Sequence, residues 1–166
     1  MSTVAVTRTI DAEPARVWAL VTNLAARPTW LTTTDQVEVL TPGAFGEGTV
    51  WRESHTMVDG TRVTEEFRVR ECDPPRGFVV CSPGIGADYR MTYTLVPVDV
   101  GRHRGGTMVT IEQEGHPSGV TGRVLGLVLG GLAASTAEGA LRRELDDLAA
   151  ALAGHPVAQG DEEPAA

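Results

Sequence analysis

The sequence predicts an α+β fold in which a curved antiparallel sheet of about seven strands wraps around a long C-terminal helix, with two short helices after the first strand. Two patterns lead to this prediction. Six strand-like segments between residues 36 and 115 are separated by short turns that contain Gly or Pro. Residues 120–153 then carry leucines at helical spacing. The chain has 166 residues, of which 42% are hydrophobic and 22% charged, and this composition suits one soluble domain.

The N-terminal segment predicts a strand followed by two short helices. Residues 3–10 alternate between apolar and polar side chains, as in a strand with one buried face. Pro14 suits the first turn of a helix, and apolar residues follow at helical spacing as far as Leu24. We expect Pro28 to end this helix and a second short helix to begin at Trp30.

The middle of the chain predicts an antiparallel meander. Strands are expected at about residues 36–41, 48–58, 61–72, 77–83, 87–98 and 106–115. The connections between them are too short for crossover helices, so each strand pairs with the next in the antiparallel sense.

The turn at residues 57–61 predicts which residues of two strands face each other. Gly60 suits the left-handed position of a three-residue hairpin loop, which pairs residue 53 with 65 and residue 55 with 63. The odd positions of both strands carry the large apolar residues, so this face is expected to be the inner one. A two-residue turn would pair odd with even positions and fits this pattern less well. Glu53 and Glu65 are therefore expected to face each other, with His55 on the same face.

The last element is predicted to be a helix over residues 120–153. Its second half carries one apolar stripe, formed by Leu141, Leu145, Leu148 and Leu152. Traced backwards, the stripe continues through Glu138, Ala134, Gly131 and Leu127, where several side chains are small. We expect a gap between this half of the helix and the sheet, which is either filled by large sheet side chains or open as a ligand cavity. Residues 154–166 predict a disordered acidic tail, which leaves 1–153 as the folded domain.

Charge and composition exclude several classes of function. The net charge of −8 argues against binding to nucleic acids or anionic membranes, both of which need a basic protein face. All 14 basic residues are Arg, so chemistry that needs a lysine is excluded. The 4 His and 2 Cys lack the spacing of metal ligands, and we expect neither a metal nor a cofactor.

The same features predict a cytoplasmic location. No segment has the pattern of a signal peptide, and the most apolar run, residues 124–134, is too short to cross a bilayer. Cys72 and Cys81 lie at different levels of one predicted hairpin, so we expect free thiols. The chain is expected to be a monomer or a homodimer, with a hydrophobic small molecule as its partner.

Several sequence strings, in this order, resemble a known superfamily. They are "RTIDAEPARVWALVTN", "PTW", "GEGTVWRE", "ECDPPRGFVV", "YRMTYTLVPV" and "GTMVTIEQE". Together they resemble the START-like, helix-grip superfamily (SRPBCC) of the polyketide cyclase/dehydrase and lipid transport type, over about residues 2–153. The resemblance implies an elongated hydrophobic cavity between the sheet and the C-terminal helix. Members bind lipids, hormones or polyketides and some are enzymes, so function does not follow from the fold.

Alternation along the strands predicts the side chains that line such a cavity. On the sheet they are Trp51, Met57, Phe67, Tyr89, Met91, Tyr93 and Gln113, and on the helix Leu127, Gly131, Ala134 and Glu138. Two carboxyl groups in a partly apolar cleft do not both ionise easily, so one is expected to hold a proton or to recruit a cation such as His55. Glu53, Glu65 and His55 are accordingly candidate acid/base residues. The alternative is that both carboxylates lie solvated or paired with Arg at the rim of the sheet.

Three functions fit these expectations. The first is a non-catalytic binder or carrier of a hydrophobic small molecule. The second is an enzyme of the cyclase, aromatase or dehydratase kind that uses Glu53, Glu65 and His55 as acid and base. Aromatases of the superfamily use Arg residues in the cavity, but the predicted register turns the strand arginines outward, namely Arg52, Arg62, Arg68, Arg70 and Arg90. The third is a protein-interaction module.

Overall fold

The predicted fold class is confirmed by the computed structural model, which describes residues 2–56, 59–83, 87–117 and 119–154, with the side chains of residues 2 and 117–135 outside the description. Its seven strands are β1 (Ser2–Ile10), β2 (Gln36–Val39), β3 (Val50–Thr56), β4 (Arg62–Asp73), β5 (Gly77–Pro83), β6 (Ala87–Pro97) and β7 (Thr107–Pro117). They form one antiparallel sheet in the order β1-β7-β6-β5-β4-β3-β2.

The helices are α1 (Pro14–Val21), α2 (Arg27–Trp30) and α3 (Gly119–Leu152), and a 3₁₀ turn at Leu24–Ala26 precedes α2. The predicted role of Pro28 was wrong, because Pro28 lies inside α2 rather than ending a helix. Its missing N–H is harmless in the first turn, where no carbonyl within the helix is available to accept it. The first helix ends earlier than predicted, at Val21.

The order of the strands explains how the short helices come to lie over the sheet. β1 forms one edge of the sheet and pairs with β7, whereas β2 forms the opposite edge and pairs with β3. The segment between β1 and β2 must therefore cross the whole sheet. This crossing brings α2 close to β2 and β3, where it meets the polar residues of the site described below.

The register predicted for the hairpin is confirmed. Glu53 pairs with Glu65, His55 with Val63 and Trp51 with Phe67. Gly60 adopts a φ of 83°, as the left-handed position of the turn requires. The predicted partner of residue 61, Met57, lies outside the described residues.

The core lies between the sheet and the C-terminal half of α3. Leu141, Leu145 and Leu148 are each at most 4% exposed, so the predicted leucine stripe is the buried face of this half of the helix. It packs against β1 and β7, where Val109 and Ile111 are almost completely buried. Within the described chain, no helix combines the length and hydrophobicity that crossing a bilayer requires.

Candidate functional site

A cavity of about 450 Å³ lies between the sheet and α3. Its apolar walls include Leu24 from the segment that crosses the sheet, Phe45 from the connection between β2 and β3, and Phe78 and Val80 from β5. On α3, Leu141 of the leucine stripe lines the cavity together with Thr136, Ala140 and Glu144, three residues that are spaced four apart and so lie on one side of the helix. Two of the three are small, and this strip lies beside the leucine stripe that packs against the core.

The structure brings most of the predicted site residues to this cavity. The described lining includes Trp51, Glu53, His55, Glu65, Phe67, Tyr89, Met91, Tyr93 and Gln113. Met57 and the side chains of Leu127, Gly131 and Ala134 lie outside the described part of the protein, so their predicted place in the lining stays a prediction.

Glu138 is a correction, because it is not among the cavity-lining residues. It forms an ion pair with Arg142 one turn along the helix, at 2.6 Å, and its side chain is 45% exposed. Each residue of an α-helix turns by about 100°. Glu138 is two residues from both Thr136 and Ala140, which turns it away from the cavity.

The polar side of the cavity is organised around Arg27, a residue that sequence reasoning did not single out. Arg27 Nε lies 2.7 Å from Glu53 Oε1, and the two side chains are only 7% and 8% exposed. The Nε–H does not point along the line between these atoms, so the contact is an ion pair rather than an aligned hydrogen bond. The guanidinium also lies over the ring of Trp30, 5.5 Å from its centroid.

Glu53 is held by two further donors. Trp51 Nε1 donates a hydrogen bond of 2.8 Å to Oε1, and Thr34 Oγ1 donates one of 3.0 Å to Oε2. Both carboxylate oxygens are therefore occupied by protein groups. A buried carboxylate that accepts several hydrogen bonds beside a cation is stabilised as a structural anchor.

A second carboxyl group reaches the same guanidinium from α3. Arg27 Nη2 donates a long hydrogen bond of 3.5 Å to Glu144 Oε1, and the Tyr93 hydroxyl donates one of 3.0 Å to the same oxygen. The Glu144 side chain is only 12% exposed and lies beside Arg27 of α2 and Tyr93 of β6. Arg27 thus links α2 to both β3 and α3.

Burial and charge shift the pKa values of this cluster in different directions. Burial raises the pKa of Glu144, and the negative charge of Glu53 adds to the effect, although Arg27 opposes it. Burial also raises the pKa of Tyr93 well above its usual value. Burial alone would lower the pKa of Arg27, but Glu53 and Glu144 outweigh it and raise that pKa, so Arg27 stays charged.

These contacts change the interpretation of the acid/base candidates. The cation beside Glu53 is Arg27, and not His55 as the sequence suggested. The arginines of the strands do lie outward: Arg52 and Arg68 are exposed, and Arg90 pairs with Glu71. The cavity nevertheless contains an arginine, which comes from the crossing segment rather than from a strand.

Helical spacing contains a signal for both missed residues. Leu24, Arg27 and Trp30 are spaced three apart, and all three are at most 6% exposed. A single charged residue in phase with apolar neighbours points to a buried charge that needs a partner. Glu144 likewise lies four residues before the buried Leu148. Which partner each charge meets depends on the tertiary structure.

The model of one protein family, described as "Polyketide cyclase / dehydrase and lipid transport", matches residues 1–153. No curated protein matches the chain significantly.

Three solved structures illustrate the similarity of the fold. A START superfamily protein from Mycobacterium smegmatis has a TM-score of 0.72 and 13% identity, over 92% of this chain and 97% of the other. Protein CV1439 from Chromobacterium violaceum has a TM-score of 0.67 and 20% identity, over 96% and 98%. The di-domain ARO/CYC BexL from the BE-7585A biosynthetic pathway has a TM-score of 0.68 and 18% identity, over 96% of this chain and 51% of BexL. At these identities the likeness establishes the fold alone.

Replacing Arg27 by Met is expected to lower the free energy of unfolding by about 3–5 kcal/mol, because two buried carboxyl groups lose their cation. Urea denaturation at pH 7 measures the loss. Arg16→Met, at an exposed position of α1, is the matched control and should change stability by less than about 0.5 kcal/mol. The double variant Arg27→Met, Glu53→Leu should recover part of the loss. If Arg27→Met and Arg16→Met had equal free energies of unfolding, the structural role of Arg27 would be contradicted.

The raised pKa of Glu144 should make the free energy of unfolding fall as pH rises. Its folded-state pKa lies above its unfolded value, so the folded protein binds more protons between the two and loses stability as pH increases through that window. Glu144→Gln removes the ionisation, so its stability relative to the wild type should rise with pH from about 4.5 upward. Urea denaturation across pH 4.5–8 tests this, with the half-exposed Glu138→Gln as control. A constant difference between wild type and Glu144→Gln would refute the raised pKa.

Proposed function

Because the chain belongs to the polyketide cyclase/dehydrase and lipid transport family, we propose that it binds a hydrophobic small molecule in the cavity between the sheet and α3. The observation that carries this proposal is the cavity itself. Its volume of about 450 Å³ lies within the range of about 300–1,000 Å³ that is typical of small-molecule sites. Aromatic and aliphatic side chains with a few polar groups are the usual lining of such sites.

The aromatic lining supports a flat or ring-containing ligand. The Trp51 and Phe67 rings are stacked with centroids 5.4 Å apart, and Phe45 lies 6.3 Å from Trp51. Phe78 and Tyr93 stack at 4.4 Å on the other side of Phe45. These rings offer a large apolar surface whose preferred contacts are with other rings.

A carrier without catalysis is the simpler function for this cavity. Glu53, the most buried of the acid/base candidates from the sequence, is occupied by Arg27, Trp51 and Thr34. A group that must give and take protons needs access to the substrate, and these partners leave Glu53 little freedom to provide it. Its neighbours Glu65 and His55 line the cavity without comparable anchoring.

An enzyme of the cyclase, aromatase or dehydratase kind is the second candidate, and Glu144 is the observation that favours it. Glu144 lines the cavity, its pKa is raised, and it accepts a hydrogen bond from Tyr93. A carboxyl group with a raised pKa is better suited than an ordinary one to act as a general acid. In this alternative Glu144 replaces Glu53 as the proton donor, while Glu65 and His55 remain available as bases.

The two candidate functions predict different reaction rates for a linear poly-β-ketone in the presence of the protein. A carrier should leave its rates of cyclisation and dehydration at the level in buffer. An enzyme should accelerate one of them, and Glu144→Gln should then lower kcat by about 100-fold or more. Product formation followed by chromatography measures the rate, with Glu138→Gln as control. Acceleration by the wild type would overturn the non-catalytic proposal, and equal kcat values for the two variants would exclude Glu144 as the acid.

Filling the cavity should abolish binding of an apolar probe. Met91 lies in the lining on β6, so Met91→Trp should reduce the affinity for Nile red by at least about tenfold, because the larger ring occupies the space. Met108→Trp makes the same change at a residue that is 39% exposed, and its affinity should be unchanged. Fluorescence titration measures both. Saturating ligand should also raise stability, by about 2.7 kcal/mol at 100 times Kd. Undiminished binding by Met91→Trp would place the ligand elsewhere.

A further inference from the structure

The charges that line the cavity do not balance. The described lining contains one guanidinium, from Arg27, and three carboxyl groups, from Glu53, Glu65 and Glu144. Arg27 and Glu53 neutralise each other at 2.7 Å. Glu144 shares the same guanidinium and accepts a hydrogen bond from the Tyr93 hydroxyl. Even if Glu144 is neutral, the carboxylate of Glu65 adds a negative charge that Arg27 does not compensate.

Glu65 has no protein partner among the residues that the structure describes. The hydrogen bonds and ion pairs of that part of the protein include none to its carboxylate, although the residue is partly buried and lines the cavity. The adjacent Glu66, on the opposite face of β4, pairs with Arg52 at 3.2 Å. The outward carboxylate thus has a counter-ion, whereas the inward one has none among the described residues. A charge in that position favours a cationic partner.

A second polar group in the cavity also lacks a partner. Ser82 is only 3% exposed, and its Oγ is buried with no hydrogen-bond partner in the described structure. Ser82 lies on β5, next to the strand that carries Glu65, and it lines the same cavity. Buried hydroxyl groups are normally paired, so this hydroxyl is available for a hydrogen bond to a ligand that reaches it. A serine hydroxyl can accept as well as donate.

Two aromatic residues that line the cavity, Phe67 and Trp51, lie near Glu65 in the sheet. Phe67 lies two residues from Glu65 on the same face of β4, and Trp51 faces Phe67 from β3. A cation beside a carboxylate and near aromatic rings gains from both, because the ring faces carry negative potential. Arg27 does not compete for an anionic ligand here, because Glu53 and Glu144 already surround it.

We infer that the ligand of this cavity is an apolar, ring-containing molecule with a protonated aliphatic amine, and that Glu65 is the counter-ion of that amine. This inference rests on the proposed function. An ammonium group carries three N–H donors. Glu65 and the Ser82 hydroxyl can accept hydrogen bonds from some of them, while the rings of the cavity contact the apolar portion of the ligand. A carboxylate ligand of the same shape would instead be repelled by the negative charge of Glu65.

Three ligands with the same ring system test the inference: 2-(2-naphthyl)ethylamine, 2-(2-naphthyl)ethanol and 2-naphthylacetic acid. Their affinities at pH 7, where the aliphatic amine is protonated, are measured by competition with Nile red. We expect the amine to bind at least about tenfold more tightly than the alcohol, as a charge-assisted hydrogen bond would provide, and the acid to bind most weakly. Glu65→Gln should reduce the affinity for the amine to that for the alcohol and leave the affinity for the alcohol unchanged.

Glu66→Gln, on the outer face of the same strand, is the matched control and should keep the full preference for the amine. Equal binding of amine and alcohol to the wild type, tighter binding of the acid, or a preference that survives in Glu65→Gln would each overturn the inference. A preference that emerges only in His55→Asn would also overturn it, because His55 would then be the counter-ion of Glu65. If the alcohol and Nile red bind without a preference for the amine, the inference fails while the proposed function stands. If neither they nor the amine bind, both fail.

Discussion

The buried Arg27 links the polar groups on one side of the cavity. Arg27 comes from the segment that crosses the sheet, and it meets Glu53 from β3 and Glu144 from α3. Charges at this depth are poorly screened by solvent, so each needs the others to be tolerated. The crossing segment, the sheet and the C-terminal helix are therefore tied together at one point, and the cavity lies beside it.

This arrangement separates structural charge from charge that a ligand can use. Arg27 and Glu53 neutralise each other, and the other donors to Glu53 come from Trp51 and Thr34. Two other polar groups of the cavity, Glu65 and Ser82, have no hydrogen bond or ion pair among the described residues. A cavity with apolar walls and a few unpaired polar groups combines affinity from burial with orientation from specific hydrogen bonds.

The predicted register of the hairpin was correct because two independent signals agreed. Gly60 determined the geometry of the turn, and alternation in β3 and β4 indicated the same inner face, so Glu53 and Glu65 were placed opposite each other. Extrapolation along α3 was less secure. The leucine stripe correctly identified the packed face at Leu145, and its Leu141 lines the cavity, but the other described lining residues of α3 lie on the adjacent strip through Ala140, and Glu138 lies on neither. On a helix, a change of one or two residues moves a side chain to another face.

Local sequence signals by themselves determined the order of the elements, the pairing of neighbouring strands and the inner face of the sheet. These properties depend on turn residues and on alternation between residues close in the chain. The tertiary structure alone decided that Arg27 meets Glu53 and Glu144, because these residues are 26 and 117 positions apart from it in the sequence. It likewise decided that the Ser82 hydroxyl has no hydrogen-bond partner within the described part of the protein. Partners of buried charges come from whatever elements converge on them, and spacing along the chain does not encode that convergence.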